Sequence, residues 1–407
     1  MTDALAESGE VAQGYITKLG IMYVSLIESF LESDEGRKAR GSVQLIFTSP
    51  PFPLNRKKKY GNKAGEEYLE WRRDLAPRLA ELLTPDGSIV MELGNAWEPG
   101  APVMSTLALE AFLAFKEAGK LCLCQQFVCH NPARLPSPAQ WVNVERIRVK
   151  DSFTHIWWMS PTERPKADNR NVLTEYSPEM KELLTRRSYN SGRRPSGHLI
   201  GRESFFKDNG GAIPPNVFVY SNTTSIDRYR EYCRERELKP HPAPMQMDVV
   251  RFFVKMLTDP GDLVLDPFGG SNSTGAAAED LGRRWLAIEP DREYVEGSKG
   301  RFPQFAGTGP ASNATDTLFT DALFHRALVQ FQEVKSGNSD FLGTAYTRVD
   351  ECHRIGSREN SRILNGLHVA TLGLSATPRR EYADAFEAVI EPALGPVIYQ
   401  LGIVRSR

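Results

Sequence analysis

The sequence has little of what marks several common function classes. Five cysteines in 407 residues are too few and too scattered for a disulfide framework. Cys122, Cys124 and Cys129 fall close to His130 in LCLCQQFVCH, but no C-x-x-C pair occurs among them. The spacing argues against zinc, and the alternation fits a buried strand, so no metal is expected. No apolar run is long enough to span a membrane, and the opening MTDALAESGEVAQ is acidic with no apolar signal segment. The expectation is an intracellular, cytoplasmic protein with no membrane partner. There is no excess of positive charge either: the formal net charge is −1. Any nucleic-acid partner must therefore be met by local clusters. Two exist: RKKK at 56–59, and RRSYNSGRRPSGHLIGR at 186–202, which carries five arginines and no acid. Together they point to a phosphate-contacting surface.

What is present is a globular composition, 41% hydrophobic and 25% charged, in a chain long enough for about two or three domains. Residues 43–47, 88–94, 121–129, 153–159 and 263–266 read as strands. Residues 66–83, 103–118 and 246–258 carry apolar positions at helical spacing. Strands alternating with helices imply an α/β domain with a largely parallel sheet. Between 161 and about 216 the chain is rich in Pro, Asn, Arg, Gly and Ser with weak periodicity, as in a loop-rich insert.

Two stretches carry chemistry. In LIFTSPPFPLNRKKKYGN, residues 45–62, an apolar run stops at Thr48-Ser49-Pro50-Pro51-Phe52. Adjacent prolines fix φ and remove two donors, so the strand must end there. The turn presents a hydroxyl, rigid carbonyls and an aromatic. In DPGDLVLDPFGGSNSTGAAAEDLGRRWLAIEPD, a strand ends at Asp266 and a turn Gly269-Gly270-Ser271-Asn272 leads into a helix near Ser273-Thr274. A second strand then ends at Glu289. This is the strand–turn–helix–strand pattern of a nucleotide-type cofactor site. Glycines admit the ligand to the backbone, and a terminal acid suits a ribose diol. It is neither G-x-G-x-x-G nor a phosphate loop.

TSPPF followed by DPFGGSNSTG resembles the β-arranged, amino-methylating DNA methyltransferases, over about residues 14–305. RKKKYGN, LTPDGSIVMELGN and HPAPMQMDVV contribute to the likeness. The resemblance implies a Rossmann-like seven-stranded sheet, S-adenosylmethionine as cofactor and an exocyclic amine of double-stranded DNA as acceptor. It makes Ser49, Pro50, Pro51 and Phe52 catalytic, with Phe52 stacking on an extruded base. It carries Met245, Asp266, Pro267, Phe268, Gly269, Gly270, Ser271, Asn272, Ser273 and Thr274 into the cofactor site, and Glu289 onto the ribose. Many relatives have Gly-Thr-Thr where this chain has Asn272-Ser273-Thr274. Serine in the catalytic turn leans toward cytosine N4, with adenine N6 the alternative and an inactive DNA-binding relic the reading of another class. Arg56, Lys57, Lys58, Lys59, Arg186, Arg187, Arg193 and Arg194 are the expected DNA contacts, residues 161–240 the expected target-recognition insert, and a cognate restriction enzyme the expected biological partner.

A second pair, VDECH at 349–353 and LGLSATP at 372–378, resembles motifs II and III of superfamily 2 helicases. That likeness implies a small C-terminal α/β fragment, 341–407, behind a linker at 306–340. No G-x-x-x-x-G-K-[ST] phosphate loop occurs anywhere in the chain, so no ATPase activity is expected of the fragment.

Overall fold

The computed structural model describes residues 9–52, 65–220 and 227–305, with the backbone of two further strands, Thr347–Asp350 and Thr371–Leu374. The lysine-rich run 56–59, the linker 306–340 and most of 341–407 lie outside the described residues.

The chain divides into two units, Met1–Gly309 and Pro310–Arg407. The first is built on the strands β1 Val11–Ile16, β2 Gly20–Ser25, β3 Val43–Thr48, β4 Leu83–Gly94, β5 Ala96–Trp97, β6 Met104–Ser105, β7 Cys122–His130, β8 Phe153–Ser160, β9 Gly192–Arg193, β10 Leu199–Ile200, β11 Val217–Val219, β12 Leu263–Asp266 and β13 Arg284–Glu289. Its helices are α1 Ile27–Glu32, α2 Asp34–Ala39, α3 Gly65–Ala80, α4 Leu107–Ala118, α5 Pro178–Arg186, α6 Arg228–Glu235, α7 Met247–Leu257, α8 Ser273–Asp280 and α9 Arg292–Ser298.

Nine strands form one sheet in the order β1-β2-β13-β12-β3-β4-β8-β7-β11. The run from β2 to β4 is parallel, and β8 inserts antiparallel between β4 and β7. The seven strands that the resemblance implies are those from β2 to β7. Two more extend the edges: β1 folds back on β2 as a hairpin, and β11 adds three residues in parallel to β7.

The central strands are buried on both faces, which explains their near-continuous apolar runs. Val43 and Ile46 of β3, with Leu263 and Leu265 of β12, face a core made with α1, α3 and α4, including Phe30, Leu75 and Phe115. Leu45, Phe47 and Val264 face the opposite core, made with α7, α8 and α9, including Phe253, Ala277 and Val295. Helices therefore cover both sides of a twisted α/β sheet.

Two boundaries differ from the sequence expectation for local reasons. Helix α4 starts at Leu107 because Met104–Ser105 pairs antiparallel with Ala96–Trp97. The TPDG segment lies inside β4 as an irregularity: Val43 pairs with Leu83, and regular pairing resumes at Leu45 with Ser88. Strand β7 is also less buried than its sequence suggests. Cys122 and Cys124 are half-buried and only Cys129 is buried, because β7 has just three residues of β11 as its outer neighbour.

Among the described residues no helix is long and apolar enough to cross a membrane. In the second unit, Thr347–Asp350 and Thr371–Leu374 (β14 and β15) pair in parallel, with Asp350 opposite Leu374.

Candidate active site

The two sequence motifs meet at one point of the sheet. Strands β3 and β12 are parallel neighbours, so Ser49 and the residues after Asp266 leave the same edge side by side. After β3 the chain crosses to β4 on one side; after β12 it crosses to β13 on the other. The crevice between them is the topological switch point at which open α/β sheets bind ligands.

On the β3 side, Thr48 is buried, Ser49 half-buried, Pro50 buried, Pro51 exposed and Phe52 half-buried. The Tyr68 hydroxyl of α3 donates to the Pro51 carbonyl at 2.7 Å, tying the turn to the next helix. The Phe52 ring packs against Gly94 at the end of β4, where an added Cβ would sit 2.5 Å from a ring carbon. Gly94→Ala must displace the ring and the turn behind it. We expect turnover to fall roughly tenfold with cofactor affinity unchanged, since misplacement by a fraction of an ångström is costly at a reacting centre. Steady-state kinetics beside a cofactor titration check this.

Ser49 stands close enough to Glu92, a residue the motifs did not reveal, for its hydroxyl to lower that carboxyl. The register explains the meeting: Thr48 pairs with Met91, so the next residues of β3 and β4 stand together. Thr154 of β8 donates to the other side of this contact, reaching Glu92 Oε1 at 2.6 Å. Burial raises the Glu92 carboxyl above the usual carboxylate range, against the lowering effects of Thr154, Ser49 and the nearby Arg134. A carboxylate inclined to hold a proton, beside the serine of the Ser49–Phe52 turn, is equipped for proton transfer.

On the β12 side, Asp266 Oδ1 accepts from Phe268 N at 3.0 Å and Oδ2 from the Thr274 hydroxyl at 2.6 Å. Burial pushes its carboxyl up to about 6. Thr48 stands near enough to lower that carboxyl slightly, yet its buried hydroxyl has no partner in good hydrogen-bond geometry. Glu289 accepts from Gly270 N at 2.8 Å on one oxygen and from Asp291 N at 3.0 Å on the other. It too is raised by burial, to about 7. Each of its oxygens keeps a lone pair for another donor.

The turn between them is tightly held. Gly270 has φ +50°, and a Cβ there would stand 3.1 Å from the His241 ring. Asn272 caps α8 through Gly275 N and donates to the Tyr15 hydroxyl. Ser273 donates to the Met245 carbonyl at 3.1 Å. Buried Arg301 grips Ser271 through its carbonyl and hydroxyl, at 2.6 and 3.0 Å. Asn272, Ser273 and Thr274 thus spend their side chains on the shape of the turn. Phe268 meets the Trp71 ring edge-on across the crevice.

These residues fit S-adenosylmethionine. Two buried carboxyls with spare acceptor capacity, an orphaned threonine hydroxyl and a glycine turn suit a ligand that brings an amine, ribose hydroxyls and a positive sulfur.

The four arginines singled out in the insert, 186, 187, 193 and 194, are exposed. Arg186 pairs with Glu182, Arg187 lies over Phe206, and Arg193 and Arg194 sit in or beside the small β9–β10 ribbon. The insert leaves the sheet at the end opposite the Ser49–Phe52 turn. There Lys166 N donates to the Asp86 carbonyl, and its ammonium pairs with Asp259 and Asp262, each at 2.7 Å.

Comparison with known proteins agrees with this geometry. The N6/N4 family model, described as DNA methylase, matches residues 43–300. The chain belongs to the N6/N4 DNA methylase family. This methylase is 43% identical over 294 residues to the Type II methyltransferase M.PvuII of Proteus hauseri, covering 71% of the chain and 85% of that protein. It is 26% identical over 262 residues to the Type II methyltransferase M.BglII of Bacillus subtilis, covering 63% of the chain and 62% of that protein. The solved structure of PvuII DNA methyltransferase (cytosine-N4-specific) superposes with a TM-score of 0.57 at 35% identity, over 75% of the methylase and 90% of that chain. Each match covers only part of the methylase.

Proposed function

We propose that this methylase transfers a methyl group from S-adenosylmethionine to the exocyclic N4 of cytosine in double-stranded DNA. The observation that carries it is the meeting of Ser49-Pro50-Pro51-Phe52 and the Asp266–Thr274 turn at one switch point, in a chain 43% identical to M.PvuII. The base assignment rests on the cytosine-N4 specificity of the solved PvuII enzyme.

When bound, S-adenosylmethionine supplies a methyl group on a sulfonium, already a good leaving group. The protein must prepare the amine. An exocyclic amine is conjugated with its ring and is a poor nucleophile. Ser49 Oγ and the Pro50 carbonyl accept its hydrogens and draw its lone pair out of conjugation as the bond to carbon forms. The proline pair and the Tyr68 bond hold these acceptors in place beforehand. The proton that the alkylated amine must lose passes through Ser49 to Glu92 and then to solvent. Phe52, packed against Gly94, stacks on the extruded base. Asp266 and the turn through Ser271 hold the methionine part, Met245 lines the same pocket, and Glu289 takes the ribose hydroxyls. Arg56 to Lys59 and the exposed arginines 186, 187, 193 and 194 meet phosphates and base edges. The names of both curated relatives, Type II methyltransferases, support a cognate restriction enzyme as partner.

The test is transfer of isotope-labelled methyl groups to duplex DNA, followed by nucleoside mass spectrometry. N4-methylcytosine is expected. N6-methyladenine would correct the base, and no transfer by protein that binds the cofactor would leave the relic reading.

For 341–407 we propose a helicase-like fragment without a motor of its own. The parallel pairing of the strands that end at Asp350 and Leu374 supports it. DNA-stimulated ATP hydrolysis is expected to be absent.

A further inference from the structure

The loop joining β7 to β8, residues 131–152, hangs from the catalytic end of the sheet. Strand β8 runs antiparallel to β4, so its first residues, Phe153 and Thr154, stand beside the end of β4 at Gly94. The root of the loop is bound to that end. Asn95 donates to Asp151 at 2.8 Å and to the Phe153 carbonyl, and Arg134 donates to the same carbonyl while its charge acts on Glu92.

The loop is ordered by its own backbone. Glu145 N bonds to Gln140 O, Ile147 N and Arg148 N to Trp141 O, and Asp151 N to Ser137 O. Arg146 at the tip has φ +57°, a conformation that a side chain other than glycine adopts at a cost.

Three aliphatic side chains of this loop face outward. Val144 is 69% exposed, Ile147 48% and Val149 86%. Cations alternate with them in Arg146-Ile147-Arg148-Val149-Lys150. Arg148 and Lys150 donate to the Pro102 and Pro132 carbonyls, which brace the loop, and neither forms an ion pair among the described residues. The two acids of the loop are turned elsewhere: Glu145 takes Gln140, and Asp151 takes Asn95. A protein partner would favour an apolar centre depleted of charge. Aliphatics alternating with cations suit a polyanion with a stack of flat bases, in which side chains wedge between base steps and cations hold the phosphates.

We propose that the β7–β8 loop is the element that opens the duplex for this enzyme: Val144, Ile147 and Val149 occupy the stack beside the extruded nucleotide, and Arg146, Arg148 and Lys150 hold the flanking phosphates. The inference rests on the methylase reading above. It adds to the 161–240 insert a DNA contact that is rooted next to Ser49 and Glu92.

The experiment compares the full chain with its V144S/I147S/V149S variant on two duplexes carrying the mapped target, one intact and one with an abasic site opposite the target. In the variant, methyl transfer on the intact duplex is expected to fall about tenfold or more, with the rise in 2-aminopurine fluorescence at the target position lost. Transfer on the abasic duplex is expected to be near wild type, because unpairing is already done. Cofactor affinity, measured alongside, is expected to be unchanged. Arg146→Ala is expected to lower the salt slope of DNA binding by about one. Wild-type rates for the triple variant on the intact duplex would overturn the inference, as would equal losses on both duplexes. Absence of transfer by the wild type would overturn the methylase reading and this one with it.

Discussion

Ser49→Ala is expected to lower methyl transfer by roughly a hundredfold to a thousandfold, with cofactor affinity within about twofold of the wild type. On the proposed mechanism the substitution removes the hydroxyl that accepts from the amine and leaves Glu92 with only its Thr154 bond. Glu92→Gln keeps the shape and the Thr154 contact but cannot take a proton, so its loss of rate should be comparable. If both residues serve the one proposed proton path, the double variant should be little worse than either single one. Single-turnover rates at saturating cofactor and DNA measure all three. Losses that multiply in the double variant would show that Ser49 and Glu92 act separately. The pH profile gives an independent reading. Burial raises the Glu92 carboxyl, so its ionised, proton-accepting form fades at a higher pH than for an ordinary carboxylate. The wild-type rate should fall on the acid side accordingly, and the Glu92→Gln rate should not follow that limb.

The contrast between Ser49 and Glu92 shows what a sequence discloses. Ser49-Pro50-Pro51-Phe52 is legible because its chemistry is local: two prolines end a strand and fix a turn whatever surrounds them. The turn from Asp266 to Thr274 is legible for the same reason, as is the acid that ends β13. Glu92 lies inside SIVMELG, a strand whose register with β3 is set by tertiary pairing. Its one sequence signal is a charge in the middle of an otherwise apolar run, which in a central strand requires a partner. Tyr68, His241 and Arg301 were hidden more completely, since each reaches its turn from a different element. The sheet was legible as alternating strands and helices, but its two edge strands were not. β1 depends on a hairpin whose pattern is weak, and β11 on three residues within an irregular insert. The β7–β8 loop falls between two expected strands and carries no motif of its own. Which end of the sheet it guards follows only from the antiparallel placement of β8.

The second large effect is the pH dependence of cofactor binding. Asp266 and Glu289 titrate at about 6 and about 7 in the folded protein, both raised by burial. The sign is that of a raised acid. Between the ordinary carboxylate range and these values the folded chain keeps protons that the unfolded chain releases, so these groups cost stability as pH climbs toward 7. A ligand that donates to both carboxylates works in the opposite direction: it binds the ionised forms and displaces their protons. On the proposed reading S-adenosylmethionine is that ligand, its amine serving Asp266 and its ribose hydroxyls Glu289. Affinity should then weaken by roughly tenfold to a hundredfold from pH 8 to pH 5.5, and binding near pH 6.5 should release about one proton. Calorimetry in buffers of different ionisation heat gives both quantities at once. Glu289→Gln should bind more weakly at pH 8, yet lose most of the pH dependence and most of the proton release, because the larger shift belongs to Glu289. An affinity flat from pH 5.5 to 8, with no proton released, would remove the two carboxylates from the cofactor site and leave Asp266 only its bonds to Phe268 and Thr274.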